Sequence, residues 1–184
     1  MARWASPELV SAALSGDEGA TEQLIAAVWP GCFRLAATVI GDRSLAQDAA
    51  QEACVVVHRK IHGLRREAAF DAWLYRIVMR ESARVRRRHQ AVGQATFEDC
   101  LGIDDTATVD VWRALADLSP ELRDVTVLFY FDDLKSDEIA AALGIAHPTV
   151  RTRLLRAREH LRGLLGDYRD APMPEPKEMK QHAF

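Results

Sequence analysis

Residues 134–158, LKSDEIAAALGIAHPTVRTRLLRAR, decide the fold. Ser136 to Leu143 reads as a short helix, and Gly144 stands where the chain must turn. Pro148 suits the first turn of a second helix, because its missing N–H has no helical partner there anyway. In that second helix Val150, Leu154, Ala157 and Leu161 recur at spacings of four, three and four, so they share one face. Ile145 is placed to pack inward, and Ala140, Ala141 and Ala142 are small enough to let two helices approach closely. The pattern predicts a helix-turn-helix.

The other face of the second helix is basic. Arg151, Arg153, Arg156, Arg158 and Arg162 stand against one acid, Glu159, in a chain whose net charge is −3. Like charges at these spacings destabilise a helix by roughly 0.2–0.5 kcal/mol per pair, so stability gives no reason for them. A polyanionic partner does. An ordinary helical hairpin with a solvated arginine face leaves the turn and the alanines to coincidence, whereas a DNA-reading helix in a major groove accounts for all three. Arg151, Thr152, Arg153 and Arg156 are the candidates for base edges and phosphates, with Arg158 and Arg162 for the DNA backbone.

Upstream, helices are expected over about 109–118 and 120–131, the latter opened by Ser119-Pro120-Glu121 with an acid in its first turn. Before them, QAVGQATFEDCLGIDDTAT (residues 90–108) carries two glycines and four acids without a sustained period, as a flexible linker does. The N-terminal part is helical again. Ser6-Pro7 starts a short helix to about Leu14, and a second runs from about Ala20 to Ile40, bent at Pro30-Gly31. Ser44 and Gln47 form a capping-box pattern opening a helix that Gly63 is placed to end. The helix from about Phe70 to His89 buries Trp73, Leu74, Ile77 and Val78, and Arg76, Arg80, Arg84 and Arg87 form a second basic stripe that only Glu81 offsets. The tail after Gly166 holds Pro172, Pro174 and Pro176 and is expected to be disordered alone.

The class is therefore all-α, with two small helical domains, 1–89 and 109–166, joined by the acidic linker 90–108 and followed by a tail, 167–184. A composition of 48% hydrophobic and 28% charged residues suits a globular chain. The longest apolar stretch, Leu24 to Ile40, is interrupted by Pro30 and Arg34, so membrane insertion is not expected. The N-terminus reads as mature sequence rather than a signal peptide. Three cysteines without a CxxC pair argue for a reducing, cytoplasmic setting. Cys54, His58 and His62 fall on one helical row, but the first and last stand about 12 Å apart by helix rise, too far for three ligands. A buried cysteine beside two surface histidines is expected there, and no metal site. No phosphate loop, nucleophile elbow or catalytic acid pair is found, so neither catalysis nor a cofactor is expected.

These residues carry a resemblance to a known family. FDAWLYRIVMRESARVRRRH resembles the region of bacterial sigma factors that reads and opens the −10 element, and DRSLAQDAAQEACVVVHRKI their helix that grips the polymerase clamp. ALADLSPELRDVTVLFYFDDLKSDEIAAALGIAHPTVRTRLLRAREHL is similar to their −35-reading domain. The two-domain layout, over about residues 8–166, looks like the extracytoplasmic-function (ECF) group. The resemblance implies a promoter-specificity subunit, not an enzyme. Its partners would be core RNA polymerase and promoter DNA, with an anti-sigma factor to restrain it.

Position by position, Asp48, Gln51 and Glu52 match the family's D-x-x-Q-E, which implies contact with the clamp. Trp73, Leu74, Arg76 and Ile77 match the core of the −10 module, which places Trp73, Arg76, Arg80, Arg84, Arg87 and Arg88 toward −10 DNA. Thr149, Val150, Arg151, Arg153, Leu154, Arg156, Ala157 and Arg158 match the recognition helix, which implies −35 binding by Thr149, Arg151, Thr152, Arg153, Arg156 and Arg158. The acidic linker falls where the family threads a negative segment into the polymerase cleft. Some positions depart. Arg80 replaces a common Asn and Arg84 a common Asp, so Arg80 either holds phosphate or reads an acceptor-rich base edge. Lys135 replaces a capping Ser, so Ser136 or Asp137 is expected to cap; Pro148 replaces a Gly and Cys54 an aromatic. The rival readings are a free-standing helix-turn-helix regulator and a helical adaptor that mimics a sigma factor.

Overall fold

A computed structural model describes residues 4–89 and 106–164, and every regular element among them is helical. The N-terminal unit contains α1 (Pro7–Leu14), α2 (Glu18–Ile40), α3 (Arg43–Lys60) and α4 (Phe70–His89), with two single 3-10 turns at Ile61–Gly63 and Glu67–Ala69. The C-terminal unit contains α5 (Thr106–Asp117), α6 (Pro120–Tyr130), α7 (Ser136–Leu143) and α8 (His147–Leu164). The chain divides into two compact units along these lines. Most of the expected linker and all of the expected tail lie outside the described residues; α5 begins three residues before the expected border at 109.

In the first unit the helix starts are set locally. Ser6 Oγ accepts the N–H of Leu9 at 3.3 Å with Pro7 at the first helical position, and Asp17 Oδ1 accepts the N–H of Ala20 at 2.9 Å to open α2. Helix α2 runs through Pro30 as one continuous element. Pro30 and Ala26, four residues before it, are both exposed, so the ring and the carbonyl it deprives of a partner fall on a solvated face. Gly41, at φ 77°, turns the chain out of α2 and leaves Asp42 immediately before α3. Ser44 therefore stands inside the first turn of α3, and the expected Ser44–Gln47 box is not its cap.

One helix, α2, is long and apolar enough to cross a membrane by length and composition. Its Leu24, Val28, Cys32 and Leu35 through Val39 are buried within the unit, as in a core helix. The buried residues of α3 are small: Ala46, Ala49, Ala50 and Ala53 are fully buried. Helix α4 packs on α2 and contributes Phe70, Leu74, Tyr75, Ile77 and Val78. Full burial of such side chains stabilises by about 1.5–3 kcal/mol each. Trp73, expected inside, is only half-buried.

The second unit is organised by its last helix, which packs against α5, α6 and α7. Ala157 and Leu161 of α8 join Ala114, Leu115 and Leu118 in one cluster, while Val150 and Leu154 are buried toward the turn. Arg123 of α6 is buried and donates to the carbonyls of Leu115, Ala116 and Leu118, closing the C-terminal end of α5. Helix ends leave carbonyls without partners, and a planar guanidinium can satisfy several at once.

Candidate nucleic-acid interface

The turn before α8 forms as its residue types require. Gly144 adopts the left-handed conformation, φ 67° and ψ 34°, and the N–H of Ile145 reaches back to the carbonyl of Ala140 at 3.1 Å. The start of α7 differs from expectation: neither Ser136 nor Asp137 precedes it, and Lys135 occupies the cap position. An ammonium has no acceptor, so the cap is one-sided: Glu138 Oε2 accepts the Lys135 N–H at 2.8 Å. Of the three alanines only Ala142 is buried; Ala140 is half-buried and Ala141 exposed, because a single face of α7 meets its neighbours.

On α8 the buried row of Val150, Leu154, Ala157 and Leu161 fixes which way the arginines point. Arg151, Thr152, Arg156 and Arg162 are exposed, and Thr149 and Arg153 are half-buried. The Thr152 hydroxyl donates to the Pro148 carbonyl at 3.0 Å and retains its lone pairs. Arg158 is different. Its Nε donates to the Tyr130 hydroxyl at 3.0 Å, and its guanidinium lies 5.7 Å from the centre of the Phe129 ring, so it fastens α8 to α6. One apolar residue missed by the sequence reading belongs to this face: Leu155, 55% exposed, follows Arg151 by four positions and adjoins Arg156.

The second basic face lies on α4. Arg76, Arg80, Arg84, Arg87 and Arg88 are exposed, while half-buried Arg86 donates to the Val39 carbonyl at 3.4 Å, in the last turn of α2. Trp73 sits at the start of the stripe, its ring 6.1 Å from that of Phe70. Glu81 does not offset the stripe from solvent. It is buried, Oε1 accepting from Arg80 Nε and Nη2 at 3.3 and 3.2 Å, and Oε2 from Arg84 Nη1 at 3.3 Å.

A third surface is polar rather than basic. Asp48 and Gln51 are exposed and Glu52 half-buried on α3, opposite its buried alanines. Val55, 39% exposed, continues that face at the helical spacing and was not singled out by sequence. On the same helix Cys54 is buried and His58 exposed, while His62 is exposed in the 3-10 turn that follows, so the three do not converge. Among the described residues no three His, Cys, Asp or Glu side chains are grouped to hold a metal. The sulfur of Cys54 pairs with Cys32 of α2 instead: their shared hydrogen bond pushes the Cys32 thiol up, burial adding to it, and draws Cys54 down.

Two helical units each present an outward arginine face on a helix whose other side is buried. Models of sigma-70 region 2 and sigma-70 region 4 match residues 24–92 and 108–161. The ECF RNA polymerase sigma factor SigM of Mycobacterium tuberculosis is 35% identical over 164 residues, 86% of this chain and 84% of SigM. The structure of CnrH, solved in complex with the cytosolic domain of CnrY, superposes with a TM-score of 0.68 at 26% identity, covering 88% of this chain and 97% of that one. The sigma factor RpoE of Bartonella quintana, solved with the anti-sigma factor NepR, has a TM-score of 0.63 at 23% identity over 79% of this chain and 96% of its own, and shares the fold. The chain belongs to the ECF group of the sigma-70 family of RNA polymerase sigma factors. It is a subunit that binds core RNA polymerase and directs promoter-specific initiation, and nucleotidyl transfer is not its own chemistry. Membership selects the promoter-specificity reading over the free-standing regulator and the adaptor.

Proposed function

We propose that the two units divide promoter recognition between them. The C-terminal unit, 109–166, reads the −35 element through Thr149, Arg151, Thr152, Arg153 and Arg156, with Leu155 against a thymine methyl group and Arg158 at the backbone. The N-terminal unit, 1–89, engages the −10 element through Trp73, Arg76, Arg80, Arg84, Arg87 and Arg88 and assists its melting. Asp48, Gln51 and Glu52 bind the polymerase clamp, and the acidic segment 90–108 enters the polymerase cleft.

The observation that carries this reading is the orientation of α8. Its four buried residues leave Arg151, Thr152, Leu155 and Arg156 together on the opposite side, an exposed mixture of charge, hydroxyl and methyl. Arginine bonds guanine O6 and N7 in pairs, and an aliphatic side chain meets the thymine methyl, so that mixture fits base edges better than phosphates alone. Run-off transcription with core polymerase and a library of −35 and −10 templates tests it. Promoter-selective transcripts dependent on this chain are expected; unselective or absent transcription refutes it.

The chain works in the cytoplasm, where the polymerase is. An anti-sigma factor restrains it, in line with CnrH, solved with the cytosolic domain of CnrY, and RpoE, solved with the anti-sigma factor NepR. Pull-down of such a partner on the N- or C-terminal unit, with loss of run-off transcription on its addition, tests that proposal.

A further inference from the structure

Glu81 is the only acid between Ala72 and His89, and it stands on the wrong side of its helix for a charge. Residues 77, 78 and 85, at the helical spacings around it, are Ile77, Val78 and Val85, all buried. Its side chain is 3% exposed, yet the two arginine side chains that pair with it are 62% and 48% exposed. The anion is inside and both cations are at the surface. A buried ion pair is weak support for a fold, since an apolar residue of similar volume often serves as well or better. Ile77, Val78 and Val85 show that this row accepts such residues. Stability therefore leaves the carboxylate unexplained, and the orientation of Arg80 and Arg84 explains it.

We propose that Glu81 is a specificity-determining positioning residue for the −10 contact, a role that rests on reading α4 as the −10 surface. Arg80 commits its Nε–H and one Nη2–H to Glu81 Oε1, so the side edge of its guanidinium is used. The end edge, with one hydrogen from each Nη, is not used by Glu81. Arg84 is held on the other carboxylate oxygen, one helical turn on, which keeps two like charges from splaying apart. A phosphate is served by any mobile cation. A fixed end-on fork instead matches one adjacent pair of acceptors, as guanine presents at O6 and N7. Glu81 thus turns part of a sequence-blind stripe into a base-selective contact.

The test uses holoenzyme assembled from core polymerase and the full chain, transcribing templates that carry each base at every −10 position. Glu81→Gln keeps the size of the side chain but replaces one acceptor oxygen by a donor amide, which releases an arginine. The expected result is a loss of about fivefold or more in preference at one −10 position. Affinity for non-promoter DNA should hold or tighten, because a negative charge beside the phosphates is gone. Glu81→Asp, which keeps the charge but withdraws it by one methylene, should lose the same preference. In an Arg80→Asn background, neither Glu81 change should have a further effect on preference. A merely structural carboxylate predicts the reverse: a lower melting temperature, all templates weakened alike, and effects that add to Arg80→Asn. Unchanged preference in folded Glu81→Gln and Glu81→Asp overturns the proposal while the −10 reading stands. If Arg80→Asn and Arg84→Ala also leave every template as it was, the −10 reading itself fails and the proposal falls with it.

Discussion

Arg156 and Arg158 are two positions apart on α8 and carry the same side chain, yet the structure gives them different work. Arg156 is exposed on the face opposite the core, whereas Arg158 is half-buried and bonded to the Tyr130 hydroxyl. Arg151→Ala and Arg156→Ala should each weaken −35 binding, and at least one should relax base preference, at about 1–3 kcal/mol for a lost base contact. Transcription from every −35 single-base variant measures this; parental profiles from both would remove these residues from the base-reading face. Arg158→Ala should instead cost about 1–2 kcal/mol of stability, through the lost hydrogen bond and ring contact, while leaving base preference unchanged. Denaturant unfolding beside the same template series separates the two, and an altered preference at undiminished stability would put Arg158 among the base readers. The sequence places both arginines off the apolar row but cannot distinguish them, because the partners of Arg158 lie 28 and 29 residues away on α6.

At the scale of the element, what local chemistry dictates was legible, and what a distant residue dictates was not. Ser6-Pro7, Ser119-Pro120 and Gly144 mark their helix boundaries because a cap or a left-handed turn depends on a few neighbouring residues. Gly31, expected with Pro30 to bend α2 for the same local reason, also makes room for a distant residue. A Cβ at Gly31 would lie 2.6 Å from Cζ3 of Trp4, whose ring packs edge-on against Tyr75 of α4 at 4.8 Å. The N-terminal arm is thereby seated on α2 and α4, and the backbone N–H of Trp4 donates to Asp71 Oδ1 at 3.4 Å. Gly31→Ala should displace Trp4 and destabilise the unit by about 1–3 kcal/mol, as overpacking does, even though alanine favours a helix. Thermal unfolding of Gly31→Ala, Trp4→Ala and the double variant checks it. The double should cost clearly less than the sum of the singles; simple additivity would mean that the glycine serves something other than the tryptophan.

Over the whole molecule, the proposal gives two surfaces to DNA and a third to the enzyme that the chain directs. The helical class and the two-unit division followed from hydrophobic periods of 3.6 interrupted by an acidic, glycine-containing segment, signals that survive without any tertiary contact. The surface proposed for the polymerase is harder to see, since Asp48, Gln51 and Glu52 make no pattern by charge alone; resemblance to the family singles them out, and their polar mid-helix placement agrees with it. Their helix explains how they can be spared for a partner: its buried residues are Ala46, Ala49, Ala50, Ala53, Cys54 and Val57. Replacing Gln51 and Glu52 together by alanine should therefore leave the fold intact and even suit the helix, alanine being its best former. Affinity for core polymerase should fall on the order of tenfold or more, the scale of losing contacts near an interface centre. Val55→Ala should add to that loss, as an exposed apolar side chain on the same face of α3. The same variants should bind a −35 duplex as the parent does, because α8 belongs to the other unit. A polymerase titration and a duplex-binding assay on the folded variants decide it: undiminished polymerase affinity would move the clamp contact elsewhere, and a parallel loss of duplex binding would mean that the two units do not act separately.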